Sequence, residues 1–170
     1  ITLMNPPASG VETIKIQPLT DFSIINEIGN PLKIRESSRT YLLNDRFPPY
    51  MYPITTLTND TVLVIQTNEK IYTDTLDNVG IGNVEISDFQ LGFFNNGGNA
   101  TNAIITKIRD VNDNPLDPSG GHSTIRVHFS LFGALPSGVE EVEISPNSQV
   151  SIYDSVANPM LRTSTSGKVL

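Results

Sequence analysis

The ten residues SGVETIKIQP, beginning at Ser9, return as SGVEEVEISP, beginning at Ser137, 128 positions later. At that offset, without a gap, the correspondence runs on. Ile16 falls on Ile144, Pro18 on Pro146, Ser23-Ile24 on Ser151-Ile152 and Asn30-Pro31 on Asn158-Pro159, with Leu3 on Leu131 and Leu42 on Leu170 at the margins. Ile14 faces Val142, Phe22 faces Val150, Ile28 faces Val156 and Leu32 faces Met160, which are apolar exchanges of the kind a core tolerates. Residues 1–42 and 129–170 are thus two copies of one segment, the mark of tandem duplication. We expect residues 1–44 to be the C-terminal strands of a preceding, incomplete unit. Residues 45–53 (DRFPPYMYP) then form a Pro-rich linker, and 54–170 a complete unit. Three prolines in that segment argue against a central strand and for a stiff connection.

Strand signals dominate the complete unit. TVLVIQT (61–67) is β-branched between turn-forming TND and NEK, VEISDFQLGFF (84–94) ends at NNGGN, and NAIITKIRD (102–110) runs into VNDNPLDPSGG. STIRVHFSLF (123–132) alternates, and VEEVEISP puts Val142 and Ile144 on one face and Glu141 and Glu143 on the other. QVSIYDS and GKVL complete the series, and no window sustains helical periodicity. About seven strands with frequent turns predict an all-β fold, a two-sheet β-sandwich repeated at about 128 residues.

Composition narrows function. Hydrophobic residues make up 38% and charged residues 17%, with a formal net charge of −7 and 11 scattered Lys and Arg. That excludes an electrostatic nucleic-acid binder, which needs clustered basic side chains. There is no cysteine, so neither a disulfide framework nor a thiolate site is possible. No apolar run approaches the length of a membrane-spanning helix. The chain opens on Ile rather than Met and without a signal-peptide pattern, so it is expected to be a piece of something longer.

Few residues suggest chemistry. Asn59-Asp60-Thr61 and Asn99-Ala100-Thr101 are glycosylation sequons in expected turns, set against the plainer possibility of unmodified turn asparagines. DVNDNPLD gathers Asp110, Asn112, Asp113, Asn114 and Asp117, hard oxygen ligands of the kind calcium takes and similar to the calcium linker of cadherins. A solvated Asx-rich hairpin loop is the competing explanation. Asp74, Asp77 and Asp154 form a second acidic set that could line one pole. His122 and His128 lack partners in a catalytic pattern and are expected to be structural. Glu140, Glu141 and Glu143 are expected on a charged edge or wet face that discourages strand pairing, with a carboxylate pair of glycosidase type as the alternative. No enzyme is expected, and no cofactor beyond possible calcium.

KIYTDT (70–75), GNVEISDFQLGF (82–93), LPSGVEEVEISP (135–146) and SIYDSVANPM (151–160), in that order, resemble bacterial Ig-like tandem repeats of large extracellular adhesin-like surface proteins. The last resembles the family's Asp-x-x-Gly-Asn turn with Ala157 at the glycine. The earlier copy, SIINEIGNPL (23–32), keeps Gly29 but has Asn26 for the aspartate, and LLNDRFPP (42–49) resembles the inter-repeat junction. The resemblance implies an Ig-like module serving as a spacer or adhesive element, extracellular or at the cell surface, without catalytic residues. Ile14, Ile16, Phe22 and Ile24 are then prepared for a core that strands of a neighbouring chain or a preceding segment would complete, giving a filament by strand addition. The expected partners are copies of itself or flanking repeats, and possibly glycans. The alternative is a calcium-dependent or carbohydrate-binding adhesin module.

Overall fold

In the computed structural model, which describes residues 7–53 and 61–169, the chain divides into two compact units, residues 1–47 and residues 48–170. Both are built from strands, turns and loops, and no α-helix occurs among the described residues.

Among the described residues the second unit holds seven strands, here β3 to β9. They are β3 (Val62–Ile71), β4 (Asp74–Leu76), β5 (Val79–Ile81), β6 (Phe89–Phe94), β7 (Ala100–Arg109), β8 (His122–Gly133) and β9 (Glu141–Pro146). β8 lies between β3 and β7 in a three-stranded antiparallel sheet, with Ile65 opposite Ile125 and Ile108 opposite Val127. β6 and β9 form a second antiparallel pair, with Leu91 opposite Ile144 and Phe93 opposite Val142. β4 and β5 make a hairpin whose turn residues, Asp77 and Asn78, both have positive φ, the backbone that a two-residue hairpin requires.

Alternation fixes which face each strand buries. Along β9, Val142, Ile144 and Pro146 are buried while Glu141, Glu143 and Ser145 are half-exposed. Leu63 and Ile65 of β3, Ile125 and Val127 of β8, and Val142 and Ile144 of β9 join one hydrophobic core with Ile152 and Met160. The three-stranded sheet and the β6–β9 pair therefore share a single interior, an all-β arrangement compatible with a β-sandwich.

The structure redraws three expectations within this unit. Residues 84–88 are not the start of a strand. Glu85 caps a 3-10 turn (Ile86–Asp88), and its N–H donates to Asp88 Oδ2 at 2.7 Å, so the ladder begins only at Phe89. QVSIYDS forms no strand; its Tyr153 makes two isolated bridges, to Tyr72 and, across the following turn, to Pro159. Among the described residues GKVL likewise forms no strand; it meets β9 at the bridge between Val142 and Val169 and through Lys168 Nζ, 4.0 Å from Glu141 Oε2. The Pro-rich segment is divided between the units. From Pro48 on it belongs to the second, where Tyr52 N–H donates to Gln66 O at 2.8 Å and Met51 N–H to Ser164 Oγ at 2.8 Å.

In the first unit, β1 (Thr13–Ile14) pairs antiparallel with β2 (Tyr41–Leu42). The remainder is held by turns whose hydrogen bonds position the surface described next.

Candidate assembly surface

The correspondence at 128 residues extends to individual hydrogen bonds. Ser9 N–H donates to Glu12 Oε2 at 2.8 Å, and Ser137 N–H to Glu140 Oε2 at 2.9 Å. Ile16 N–H donates to Ser38 Oγ at 2.9 Å, and Ile144 N–H to Ser166 Oγ at 2.9 Å. Thr20 N–H donates to Ser23 Oγ at 3.1 Å, and Ser148 N–H to Ser151 Oγ at 3.3 Å. The pairing of Ile14 with Tyr41 is matched by the bridge between Val142 and Val169.

The turn at residues 26–30 is matched as well. Asn26 Oδ1 accepts the N–H groups of Ile28 and Asn30, and Asp154 Oδ1 those of Val156 and Asn158. The fourth residue has positive φ in both, 85° at Gly29 and 66° at Ala157. Asp110 builds the same turn a third time. Its Oδ1 accepts from Asn112 and Asn114, both at 2.8 Å, and Asp113 has φ 67°. All three turns run Asx, three residues, Asn, Pro, an Asx-turn geometry in keeping with the Asx-rich loop expected at residues 110–117.

What differs between the two copies is the covering. In the second unit Ile144 and Ile152 are fully buried and Val142 nearly so, beneath the strands of residues 61–133. In the first, Ile16 is 62% and Ile24 49% exposed, and Ile14 is half-exposed. Phe22 departs from the expectation of a core position. It is 74% exposed and lies under Lys33 Nζ at 4.7 Å, and its counterpart Val150 is also exposed, so this position faces solvent in both copies.

Glu140 marks the same difference electrostatically. It is buried, not on a wet face. Its carboxylate accepts from the N–H groups of Ser137, Gly138 and Val139 in its own turn, and of Asn99 (2.7 Å) and Ala100 (2.9 Å) from the loop before β7. These donors, with Ala100 N–H contributing most, hold its pKa down at about 2 despite the opposing cost of burial. A Cβ on Gly98 would collide with this carboxylate, so the glycine lets the loop close over it. Glu12, its counterpart, is exposed and accepts the Ser9 N–H and hydroxyl; its pKa is lowered chiefly by the Ser9 N–H.

The other residues singled out from the sequence have structural partners. In the 110–117 loop, the Asp110 carboxylate holds its turn, and the Asn114 and Asn112 N–H groups draw its pKa down. Asp117 Oδ1 accepts from the Ser119 N–H and hydroxyl, and Asp113 pairs with His128 Nε2 at 2.7 Å and Lys107 at 3.8 Å. His122 Nε2 accepts the Asp117 N–H at 3.1 Å. Asp74 Oδ1 accepts the Thr75 N–H, and Asp154 is fully buried in its turn. Asn99 is exposed at the mouth of β7, whereas Asn59 lies outside the described residues. A shallow groove of about 710 Å³ runs between residues 83–87 and 106–109, with Glu85 the one carboxylate in its lining.

No family model matches the chain, and neither a curated protein nor a solved structure matches it.

Proposed function

We propose that this chain is a structural repeat segment of an extracellular surface protein or filament. Residues 48–169 are one Ig-like sandwich repeat, and residues 1–47 are the C-terminal part of another. The open side of the first unit is completed by strands from a preceding segment or a neighbouring chain, so that repeats join into an array. The chain works by position and mechanical continuity, without catalysis.

One observation carries this reading: several hydrogen bonds within residues 9–41 recur within residues 137–169, while Ile16 and Ile24 are exposed and their counterparts Ile144 and Ile152 are buried. A sequence maintained for a self-contained small unit would not keep Ile16 and Ile24 where water reaches them.

The reading is tested with polypeptides carrying residues 43–170 once, twice and three times in tandem. X-ray scattering should give a maximum dimension that grows by a constant step per added repeat. Irregular growth, or compact globules whose length does not track repeat number, would rule the array out.

A further inference from the structure

We infer that the free edge formed by residues 11–25 is a docking site for one particular segment: a strand of the β6 type together with the loop that follows it, residues 87–100 of another copy of the repeat. This deepens the proposal above and rests on it.

The occupant is named by what covers the same positions in the second unit. There, β6 runs antiparallel along β9 from Phe89 opposite Pro146 to Phe94 opposite Glu141. Carried back by 128 residues, that ladder puts Phe89 opposite Pro18, Leu91 opposite Ile16, Phe93 opposite Ile14 and Phe94 opposite Thr13. Among the described residues, β1 has a strand partner on one side only, β2. Its other edge is available, and Ile16 beside it is exposed.

Several further contacts hold the same short segment in the second unit; two of them, Asn147 Nδ2 to Ser87 O and Asn96 Nδ2 to Glu141, fall where the first unit has Leu19 and Thr13, and three others use groups that it keeps. Its start supplies Asp88 O, which accepts the Ser151 hydroxyl at 3.1 Å. Its loop supplies Asn96 Nδ2, which donates to Val139 O at 2.9 Å. Its end supplies the Asn99 and Ala100 N–H groups, which donate to Glu140. The receiving groups of these three have counterparts in the first unit: the Ser23 hydroxyl, Val11 O and the Glu12 carboxylate. Glu12 already sits in the Ser-Gly-Val-Glu turn that aims Glu140, with its carboxylate exposed. One continuous segment thus fits an apolar edge, a hydroxyl, a carbonyl and a carboxylate whose spacing is already set. This is strand addition with a fixed register, the ladder giving affinity and Glu12 the alignment.

The probe is a synthetic peptide of residues 86–101, titrated into the 15N-labelled full chain while amide exchange is followed. At saturation the amides of residues 13–17 should exchange about tenfold or more slower, with those of residues 141–146 unchanged. A peptide carrying Gly92→Pro, at the position opposite Glu143 in the resident ladder, lacks a ladder donor and should not protect them. Glu12→Gln in the chain should weaken binding about tenfold, since a charge-assisted acceptor becomes neutral. Unchanged exchange at residues 13–17 under millimolar peptide would overturn the docking site. So would protection appearing at residues 141–146 instead, which would mean exchange with the resident β6. The two proposals fail separately. A constant step per repeat without peptide docking removes this edge as the joint and leaves the array, whereas docking without a constant step removes the array.

Discussion

Ile16 and Ile144 make the same hydrogen bond, N–H to the hydroxyl of Ser38 or Ser166 at 2.9 Å, yet Ile144 is fully buried and Ile16 is 62% exposed. Backbone geometry at this position is therefore set locally, by the turns on either side, and does not depend on the core. Burial depends on the strands that cover it. Truncation should separate the two. Ile144→Ala removes a core side chain and should destabilise the second unit by about 2–5 kcal/mol. Ile16→Ala should change the stability of the isolated chain by no more than about 0.5 kcal/mol. Urea unfolding of the two variants beside the parent chain gives both numbers.

Glu140 predicts a pH dependence. Its folded-state pKa of about 2 lies below the ordinary value of 4.5, so its carboxylate stabilises the fold fully above about pH 4.5. That contribution is lost as the pH falls through 2. The lowered Asp110, Asp113 and Asp117 act in the same direction, and Asp88, raised by burial, acts against them. The urea midpoint of the second unit should fall between pH 4.5 and pH 2. In Glu140→Gln, whose amide oxygen still accepts hydrogen bonds, the fall should be shallower and the midpoint at pH 7 lower. An identical pH profile for parent and variant would contradict the role given to this carboxylate.

Ala157 occupies the left-handed backbone that Gly29 holds in the other copy, with φ 66°. A side chain there costs about 1–2 kcal/mol, and a glycine returns part of that through unfolded-chain entropy, about 0.4–1 kcal/mol. Ala157→Gly should therefore raise the stability of the second unit by about 0.5 kcal/mol, visible as a higher melting temperature. Gly29→Ala should strain the first-unit turn at a position with open space around it, so the effect would be conformational alone.

Calcium should leave the melting temperature unchanged. Asp110 and Asp117 are held by backbone N–H groups, and Asp113 is tied to His128 and Lys107, so a cation would have to displace existing partners. A site filled at 100 times its Kd would add about 2.7 kcal/mol. Melting curves with and without millimolar calcium distinguish the two outcomes, and a clear upward shift would restore the adhesin alternative.

Much of the architecture was legible because it is written in periodicity. The alternation of β9 and the core faces of β3 and β8 follow from apolar spacing, and several residues that match at the 128-residue offset make matching hydrogen bonds. What escaped had specific causes. The Asx-rich character of DVNDNP was legible, but not that its Asx-x-x-x-Asn-Pro spacing is shared with the turns at Asn26 and Asp154. The burial of Glu140 depends on the loop at Asn99 and Ala100, and nothing adjacent to Glu140 in the sequence signals that contact. The 3-10 turn at Ile86–Asp88 had a local signal, Glu85 and Asp88 three apart, which the apolar run around it obscured. Phe22 was expected in the core because it matches an apolar residue, Val150, but an apolar match does not show burial, and both positions are exposed.

The central claim is that residues 1–47 already have the form of a repeat's C-terminal part and lack only its covering strands. Native-state hydrogen exchange tests it most directly, comparing the chain with a polypeptide in which residues 43–128 are fused ahead of Ile1. In the chain alone, the Ile16 amide should exchange orders of magnitude faster than that of Ile144. In the fusion, Ile16 should acquire protection comparable to Ile144. Fast exchange at Ile16 in both proteins would contradict the account.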